Sequence, residues 1–198
     1  MKDFWNDRYS AEGFTYGVAP NDLLRVRVGD LPHPGPVLSL GEGEGRNAVF
    51  LASLGYQVTG VDGSAVGLEK AQRLAASSGV TIQTVCADLG AFDLGEATWG
   101  GVISIWCHLP AALRRDLHGR IARAMKPGGV FLVEHYHPMQ VPYKTGGPAD
   151  TTMLLTVDEL RGAFPAWTEL HAFEGEREVH EGPLHDGISY VTQWVGRR

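Results

Sequence analysis

A glycine-rich turn between a short apolar run and a helical pattern is the feature that most constrains the fold. The run 37–40 has no polar face, as expected for a β-strand that is covered on both sides. In the turn 41–45 glycines alternate with Glu42 and Glu44. Apolar residues then recur at three- and four-residue steps over 48–52, which indicates one buried helix face. A strand, a glycine turn and a helix in this order predict the opening unit of a parallel α/β sheet.

Further apolar runs continue this alternation. Strands are predicted at 57–61, 80–86, 101–106 and 130–134, and helices that start near Ser64 and Pro110 lie between some of them. After His135 the pattern changes to a loop, a short helix at 155–164 and two long strands at 168–179 and 188–195. We therefore expect a doubly wound α/β fold that ends in an antiparallel hairpin.

The length of 198 residues fits a single domain in three parts. These are an N-terminal lead (1–36), a core (37–136) and a last part (137–198) that holds a loop and the hairpin. The segment 31–36 contains three prolines and a glycine and separates the lead from the first strand.

Charge and composition exclude several kinds of partner. The formal net charge of −6 gives no basic footprint for a phosphate backbone, so no nucleic-acid partner is expected. No apolar run approaches the roughly 20 residues of a membrane helix, and the first eight residues lack the apolar stretch of a signal peptide. Cys86 and Cys107 lie in apolar runs and are expected to be reduced and buried. We expect a cytoplasmic monomer or homodimer with no membrane partner.

An acid follows the glycine turn at a spacing that is typical of ribose binding. Asp62 ends the second predicted strand, about 20 residues beyond the turn, which is the spacing at which an acid binds ribose hydroxyls. Both NAD and S-adenosylmethionine carry such a ribose, so Asp62 does not choose between them. The segment 43–48 also fits the GxGxxG/A pattern of NAD-binding proteins.

The charge of the turn separates these two ligands. A pyrophosphate beside Glu42 and Glu44 would meet like charges, whereas S-adenosylmethionine brings a cationic sulfonium and an ammonium group. Arg46 can pair with either glutamate or reach the cofactor carboxylate. The sequence therefore favours S-adenosylmethionine. An NAD-dependent oxidoreductase and a non-catalytic cofactor-binding module are the alternatives.

A further acid lies at the end of the third predicted strand. Asp88 is followed by the apolar Leu89, and we expect this pair to contact adenine because it faces the same crevice. A helix cap is the other interpretation of Asp88.

These residues resemble a known family. The segments 37–47, 61–62, 87–89 and 126–130 resemble the motif series of the class I S-adenosylmethionine-dependent methyltransferases. The segments 4–9 and 16–21 are similar to the opening of the tellurite-resistance and thiopurine methyltransferase branch. The resemblance implies a Rossmann-like, mostly parallel seven-stranded sheet with an antiparallel C-terminal strand.

The resemblance also implies which residues bind the cofactor, and it makes the N-terminal lead a lid over it. Either Glu42 or Gly41 can take the slot of the family's first acid. The implied cofactor-binding residues are Trp5, Tyr9, Tyr16, Gly41, Glu42, Gly43, Glu44, Gly45, Arg46, Asn47, Asp62, Gly63, Ser64, Asp88, Leu89 and Trp106.

Methyl transfer is an in-line displacement at carbon, in which the protein aligns the reactants and excludes water. An oxygen or nitrogen acceptor usually needs a general base, whereas a sulfur, selenium or tellurium acceptor can react without one. His108 and His135 follow predicted strands and are the candidate bases. The alternative is that each is a loop histidine bonded to the backbone.

No metal is expected, because His135 and His137 lack a carboxylate at metal-ligand spacing. We expect a small-molecule acceptor, whose reacting atom the sequence leaves open.

Overall fold

The computed structural model describes residues 2–198 and confirms the predicted alternation of strands and helices. The α-helices are α1 (Lys2–Tyr9), α2 (Asp22–Arg27), α3 (Arg46–Ser53), α4 (Ala65–Ser77), α5 (Ala111–Ala124) and α6 (Val157–Ala163). The strands are β1 (Pro36–Leu40), β2 (Gln57–Asp62), β3 (Gln83–Cys86), β4 (Trp99–Ile105), β5 (Met125–Tyr136), β6 (Thr168–His180) and β7 (Asp186–Arg197). Among residues 2–198, no helix combines the length and the apolar character needed to cross a membrane.

The strands form one seven-stranded sheet in the order β3-β2-β1-β4-β5-β7-β6. The first five strands in the chain are parallel, while β7 pairs antiparallel with both β5 and β6. The α/β fold with an antiparallel C-terminal strand is thereby confirmed. The order reverses beside β1, and this places a crevice at the carboxyl ends of β1 and β4.

Helices cover both faces of the sheet. Apolar side chains of α2, α3 and α4 belong to one buried cluster, which includes Leu24, Leu51 and Ala71. The opposite cluster contains side chains of α5 and α6, such as Ile121 and Leu160. Because β1 and β4 are buried on both sides, they read as continuous apolar runs in the sequence.

Local capping explains where several elements begin. Ser64 caps α4 as predicted, because its side chain accepts a hydrogen bond from the amide of Gly67. The predicted start of β3 at residue 80 was wrong. The amide of Val80 bonds to the carbonyl of Ala75 and so closes the end of α4, and β3 begins only at Gln83.

Two other predicted boundaries were also wrong. The fifth strand was expected to begin at residue 130, but β5 begins at Met125, and backbone groups within its segment 126–129 bond to Arg198 at the end of the chain. The last helix starts at Val157 instead of residue 155, because Thr156 caps it.

One cysteine also departs from the prediction. Cys107 is buried as expected, but Cys86 is exposed. It lies on β3, which is an edge strand of the sheet with little cover.

Candidate active site

Two neighbouring cavities open at the carboxyl ends of the central strands. The larger has a volume of about 330 Å³ and the smaller about 220 Å³. Both are lined by Trp5, Tyr9, Gly41, Trp106 and His108, so one elongated molecule can extend through both. This is the crevice in which doubly wound sheets bind ligands.

Asp62 lies in the wall of the smaller cavity and also shapes the glycine turn. Its two carboxylate oxygens accept hydrogen bonds from the amides of Gly43 (2.9 Å) and Ser64 (2.8 Å). Burial raises the pKa of this carboxyl, although the backbone donors oppose that effect. Each oxygen keeps a further lone pair, so the side chain can still accept hydrogen bonds from ligand hydroxyls.

Gly41 and Gly43 both have positive φ and line the larger cavity. Gly45 plays a different part, since a Cβ there would lie 2.6 Å from Cα of Ala71, and it therefore allows α3 to pack closely on α4. Ser64 likewise faces inward and donates a hydrogen bond to Asn6.

Glu42 is a buried carboxyl in the wall of the larger cavity. It accepts hydrogen bonds from the hydroxyl of Ser39 and from the amide of Ala48 (3.0 Å). Burial raises its pKa to about 7. No ion pair neutralises Glu42 within the described residues, so a cationic group in the cavity would favour its ionised form.

Glu44 has partners of its own. Its carboxylate pairs with Nζ of Lys70 at 2.8 Å and accepts hydrogen bonds from the amides of Thr15 (2.7 Å) and Tyr16 (3.4 Å). Lys70 also donates to the carbonyls of Ala11 and Gly13. This acid therefore holds the segment 11–16 against α4.

The first two residues of α3 also anchor other parts of the chain. Arg46 forms a buried ion pair with Glu181, and the side-chain oxygen of Asn47 accepts a hydrogen bond from the amide of Asn21 (3.0 Å). Both residues still line the larger cavity.

The far end of the smaller cavity is formed by Gly63, Asp88 and Leu89. Asp88 accepts a hydrogen bond from the amide of Gly90 (2.7 Å), and Leu89 is buried. This end thus offers one carboxylate and an apolar side chain, which suits a flat heterocycle with an amino group.

Trp106 lines both cavities and has an unusual backbone. Its φ is 55°, in the left-handed region that bulky residues rarely adopt. The indole nitrogen donates to Glu181 (2.6 Å), and the ring stacks on Tyr136 with centroids 4.4 Å apart. These contacts fix the orientation of the ring in the wall of the cavities.

The two predicted bases differ in position. The ring of His108 lines both cavities, but neither of its nitrogens has a hydrogen-bond partner within residues 2–198 and both are enclosed. His135 lies behind it, with ring centroids 4.8 Å apart, and lines neither cavity. Burial lowers the pKa of His108 to about 3 and also lowers that of His135. Both rings are therefore neutral near pH 7.

The N-terminal lead contributes aromatic side chains to the same place. Trp5 stacks on Tyr9 (5.6 Å), and Tyr9 contacts Tyr16 edge to face (6.3 Å). A Cβ on Gly43 would lie 2.6 Å from the hydroxyl oxygen of Tyr9, so this tyrosine rests directly on the glycine turn. All three aromatic residues line the larger cavity.

Sequence reasoning missed two groups. Glu181 and His185 lie in the turn between β6 and β7, and His185 lines the larger cavity. Glu134 and Arg177 form the ion pair behind them. Glu134 directly precedes His135 at the end of a predicted strand, a position that could have drawn attention to it. Nothing in the local sequence marks the others, because the hairpin brings them to the site from far along the chain.

The chain shares its fold with solved S-adenosylmethionine-dependent methyltransferases. Residues 37–129 match a family model described as a methyltransferase domain. A curated relative is the 2-heptyl-1-hydroxyquinolin-4(1H)-one methyltransferase of Mycobacteroides abscessus, which is 30% identical over 117 residues, covering 58% of this chain and 52% of the relative. The chain spans about half the length of the curated relatives it matches.

Solved structures share the fold at low sequence identity. TehB from Haemophilus influenzae is 18% identical, with a TM-score of 0.73 over 100% of this chain and 66% of that one. The 1,6-didemethyltoxoflavin-N1-methyltransferase of Burkholderia thailandensis, solved with S-adenosylhomocysteine, is 20% identical, with a TM-score of 0.59 over 88% and 74%. Together with the domain match, these findings confirm the resemblance to class I methyltransferases. The narrower similarity to the tellurite-resistance and thiopurine branch stays a prediction.

Proposed function

We propose that this protein transfers a methyl group from S-adenosylmethionine to a small molecule. The observation that carries the proposal is the pair of joined cavities, with Asp62 in one and the buried Glu42 in the other. Asp62 and Glu42 lie in neighbouring cavities of one crevice. This arrangement suits a ligand with a ribose in its middle and a cationic amino acid at one end. When bound, S-adenosylmethionine supplies an electrophilic methyl group on a sulfonium.

The residues around the cavities fit this donor. Asp62 would accept hydrogen bonds from the ribose, while Asp88 and Leu89 would hold the adenine. Gly41 and Gly43 present backbone without side chains, and Glu42 supplies negative charge toward the ammonium group. The other candidates lie in the glycine turn, at the start of α3 and just before α4, and would act mainly by fixing these backbone positions: Glu44, Gly45, Arg46, Asn47, Gly63 and Ser64.

The rest of the chain would enclose the reaction. Trp5, Tyr9 and Tyr16 of the lead (1–36) would cover the donor held by the core (37–136), and the last part (137–198) would shape the acceptor end. Support for an acceptor of small size comes from the larger cavity, whose 330 Å³ must also hold the methionine end of the donor. His108 lines this space and stays a candidate base, whereas His135 would act only through it. A cytoplasmic location is in keeping with two unpaired cysteines, and we retain a monomer or homodimer as the proposed state.

Calorimetric titration with S-adenosylhomocysteine and, separately, with NAD tests the proposal. We expect S-adenosylhomocysteine to bind at micromolar concentration and NAD not to bind. Transfer of labelled methyl to thiol, phenol or amine acceptors would then exclude a non-catalytic module. Binding of NAD without S-adenosylhomocysteine would overturn the proposal in favour of an oxidoreductase.

A further inference from the structure

The part of the larger cavity that lies away from Asp62 is enclosed by rings from three separate segments. His185 contacts Trp106 edge to face, with centroids 5.2 Å apart, and contacts Tyr16 at 4.7 Å. Tyr136 stacks on Trp106 and also contacts His185 edge to face, with ring centroids 5.3 Å apart. The wall is completed by Pro148, Met153 and Leu184. We call this part of the larger cavity the aromatic end.

The loop between β5 and α6 is fitted closely to these rings. Gly147 has a φ of 84°, and a Cβ there would lie 2.6 Å from the ring of Tyr136. Only glycine therefore lets the loop approach the ring this closely. The loop residues Gly146, Gly147 and Pro148 thereby complete the wall beside the rings, whose flat faces favour a planar molecule.

Charged side chains around the aromatic end have partners within the described residues. Glu44 pairs with Lys70, Arg46 pairs with Glu181, and Arg8 bonds to the hydroxyl of Tyr16. Glu44 and Arg46 are therefore compensated and offer little attraction to a charged acceptor, whereas Arg8 meets only the neutral hydroxyl of Tyr16 and the rings of Phe4 and Trp5. The aromatic walls favour an uncharged acceptor.

His185 is the polar group that remains. It is buried, and its Nδ1 is enclosed without a hydrogen-bond partner within residues 2–198, which leaves Nε2 to meet a molecule in the cavity. His108 differs, because both of its ring nitrogens are enclosed. Burial lowers the pKa of His185 to about 3, so the imidazole is neutral near pH 7 and one nitrogen keeps an available lone pair.

We infer that the methyl acceptor is a planar aromatic hydroxy compound that lies against Trp106, and that His185 positions it by accepting a hydrogen bond from its hydroxyl group. This inference rests on the proposed function. The part of Trp106 that lines the cavity supplies the contact surface, with Tyr136 stacked on the ring from the other side. Its indole nitrogen is already engaged by Glu181, which fixes the orientation of the ring.

The step balances with S-adenosylmethionine as the co-reactant. The acceptor oxygen forms a bond to the methyl carbon while the bond from that carbon to the sulfonium sulfur breaks, and the sulfur keeps the electron pair. The hydroxyl proton passes to His185 and from there to solvent. A neutral imidazole of low basicity suffices, because a hydroxyl group becomes strongly acidic as its oxygen is methylated.

The first test compares 2-naphthol with trans-2-decalol, which has the same carbon count but is not planar. Both are titrated calorimetrically into protein saturated with S-adenosylhomocysteine. We expect 2-naphthol to bind at least about tenfold more tightly. Equal binding, or no binding of either compound, overturns the inference and leaves the proposed function standing. Failure of S-adenosylhomocysteine itself to bind rejects the proposed function and this inference with it.

The second test separates hydrogen bonding from packing at His185. His185→Phe keeps a ring of similar shape, and we expect it to lower kcat/KM for 2-naphthol by more than about tenfold. For 2-naphthalenethiol at pH 8, where the thiol is largely ionised, the loss should be less than about threefold. His185→Asn should recover part of the 2-naphthol rate, because the amide oxygen accepts a hydrogen bond.

Affinity for S-adenosylhomocysteine should stay within about twofold in both variants, since the inference gives His185 no contact with the donor. His180→Phe is the matched control, because His180 is an exposed histidine of the same hairpin, and it should change none of these values. An equal loss with the naphthol and the thiol would assign His185 a merely structural role and overturn its positioning role. No loss with either compound would overturn it as well.

Discussion

Glu42 is a carboxyl buried beside the glycine turn, and it forms no ion pair with a cation among residues 2–198. Its two neutral donors, Ser39 and the amide of Ala48, do not fully replace the water that it loses on folding. Burial is the largest effect on its pKa, which rises from an ordinary 4.5 to about 7. Between these two pH values the Glu42 carboxyl is therefore protonated in the native state, whereas in the unfolded chain it has lost its proton.

Glu42→Gln should consequently gain stability relative to the unchanged protein as pH rises. Between pH 4.5 and about 7 the native carboxyl binds more protons than the unfolded one, so its contribution to stability falls with pH and levels off above 7. The neutral amide has no such dependence and can satisfy Ser39 and Ala48. Urea unfolding at pH 5 and pH 8 should show the difference between the two proteins shift by about 3 kcal/mol in favour of the variant. A difference that stays constant with pH would contradict this assignment.

Asp62 acts on the turn and, in the proposed function, on the ribose. Asp62→Ala should weaken binding of S-adenosylhomocysteine by about 1–3 kcal/mol, because a charged hydrogen-bond acceptor is lost. Calorimetric titration measures it. Asp93→Ala is a matched control, since the exposed Asp93 accepts a similar bond from the amide of Gly95 far from the cavities. Unchanged affinity in a well-folded Asp62→Ala protein would count against the ribose role.

Helix α4 holds the N-terminal lead in place through Lys70. Its ammonium group bonds to Glu44 and to the carbonyls of Ala11 and Gly13, and Glu44 in turn accepts from the amide of Thr15. Most of the tertiary hydrogen bonds of the segment 11–16 are thus made to one pair of buried side chains, Lys70 and Glu44. Local opening of this segment should depend on that pair more than on apolar packing.

Lys70→Met should therefore speed amide hydrogen exchange in the segment 11–16 by at least about tenfold while the central strands keep their protection. Hydrogen exchange followed by mass spectrometry measures it. Arg73→Met, an exposed change one turn along the same helix, is the control and should leave the exchange unaltered. If both variants exchanged at the rate of the unchanged protein, the lead would have to be held by other contacts.

The elements that sequence reasoning found are those set by local signals. The strand, turn and helix around the glycines and the Ser64 cap were predicted, because periodicity and capping act within a few residues. The start of β3 and the extent of β5 were missed, since they depend on the helix end at Val80 and on pairing with the last residues of the chain. His185 was missed for the same reason. The hairpin places His185 beside Trp106, and no pattern in the residues next to it in the sequence predicts this contact.

A buried ionic network joins the three parts of the chain. Glu134 on β5 bonds to Arg177 on β6 (2.7 Å) and to Asn21 of the lead, while Glu181 of the hairpin turn bonds to Arg177 (2.9 Å) and pairs with Arg46. Burial alone would raise the pKa of Glu181, but Arg46, Trp106 and Arg177 hold it at about 2. The network thus fixes Trp106 and the hairpin turn relative to the glycine turn.

Arg177→Met tests how much the whole molecule depends on this network. The change keeps most of the side-chain volume but leaves Glu134 and Glu181 facing each other in a buried site with less positive charge. We expect a loss of about 3–5 kcal/mol in the free energy of unfolding, measured by urea denaturation at pH 7. Arg161→Met is the control, because Arg161 pairs with Glu169 on the surface and should cost no more than about 1 kcal/mol. Equal losses in the two variants would mean that burial adds nothing to the value of Arg177, and the network could not then be what holds lead, core and hairpin together.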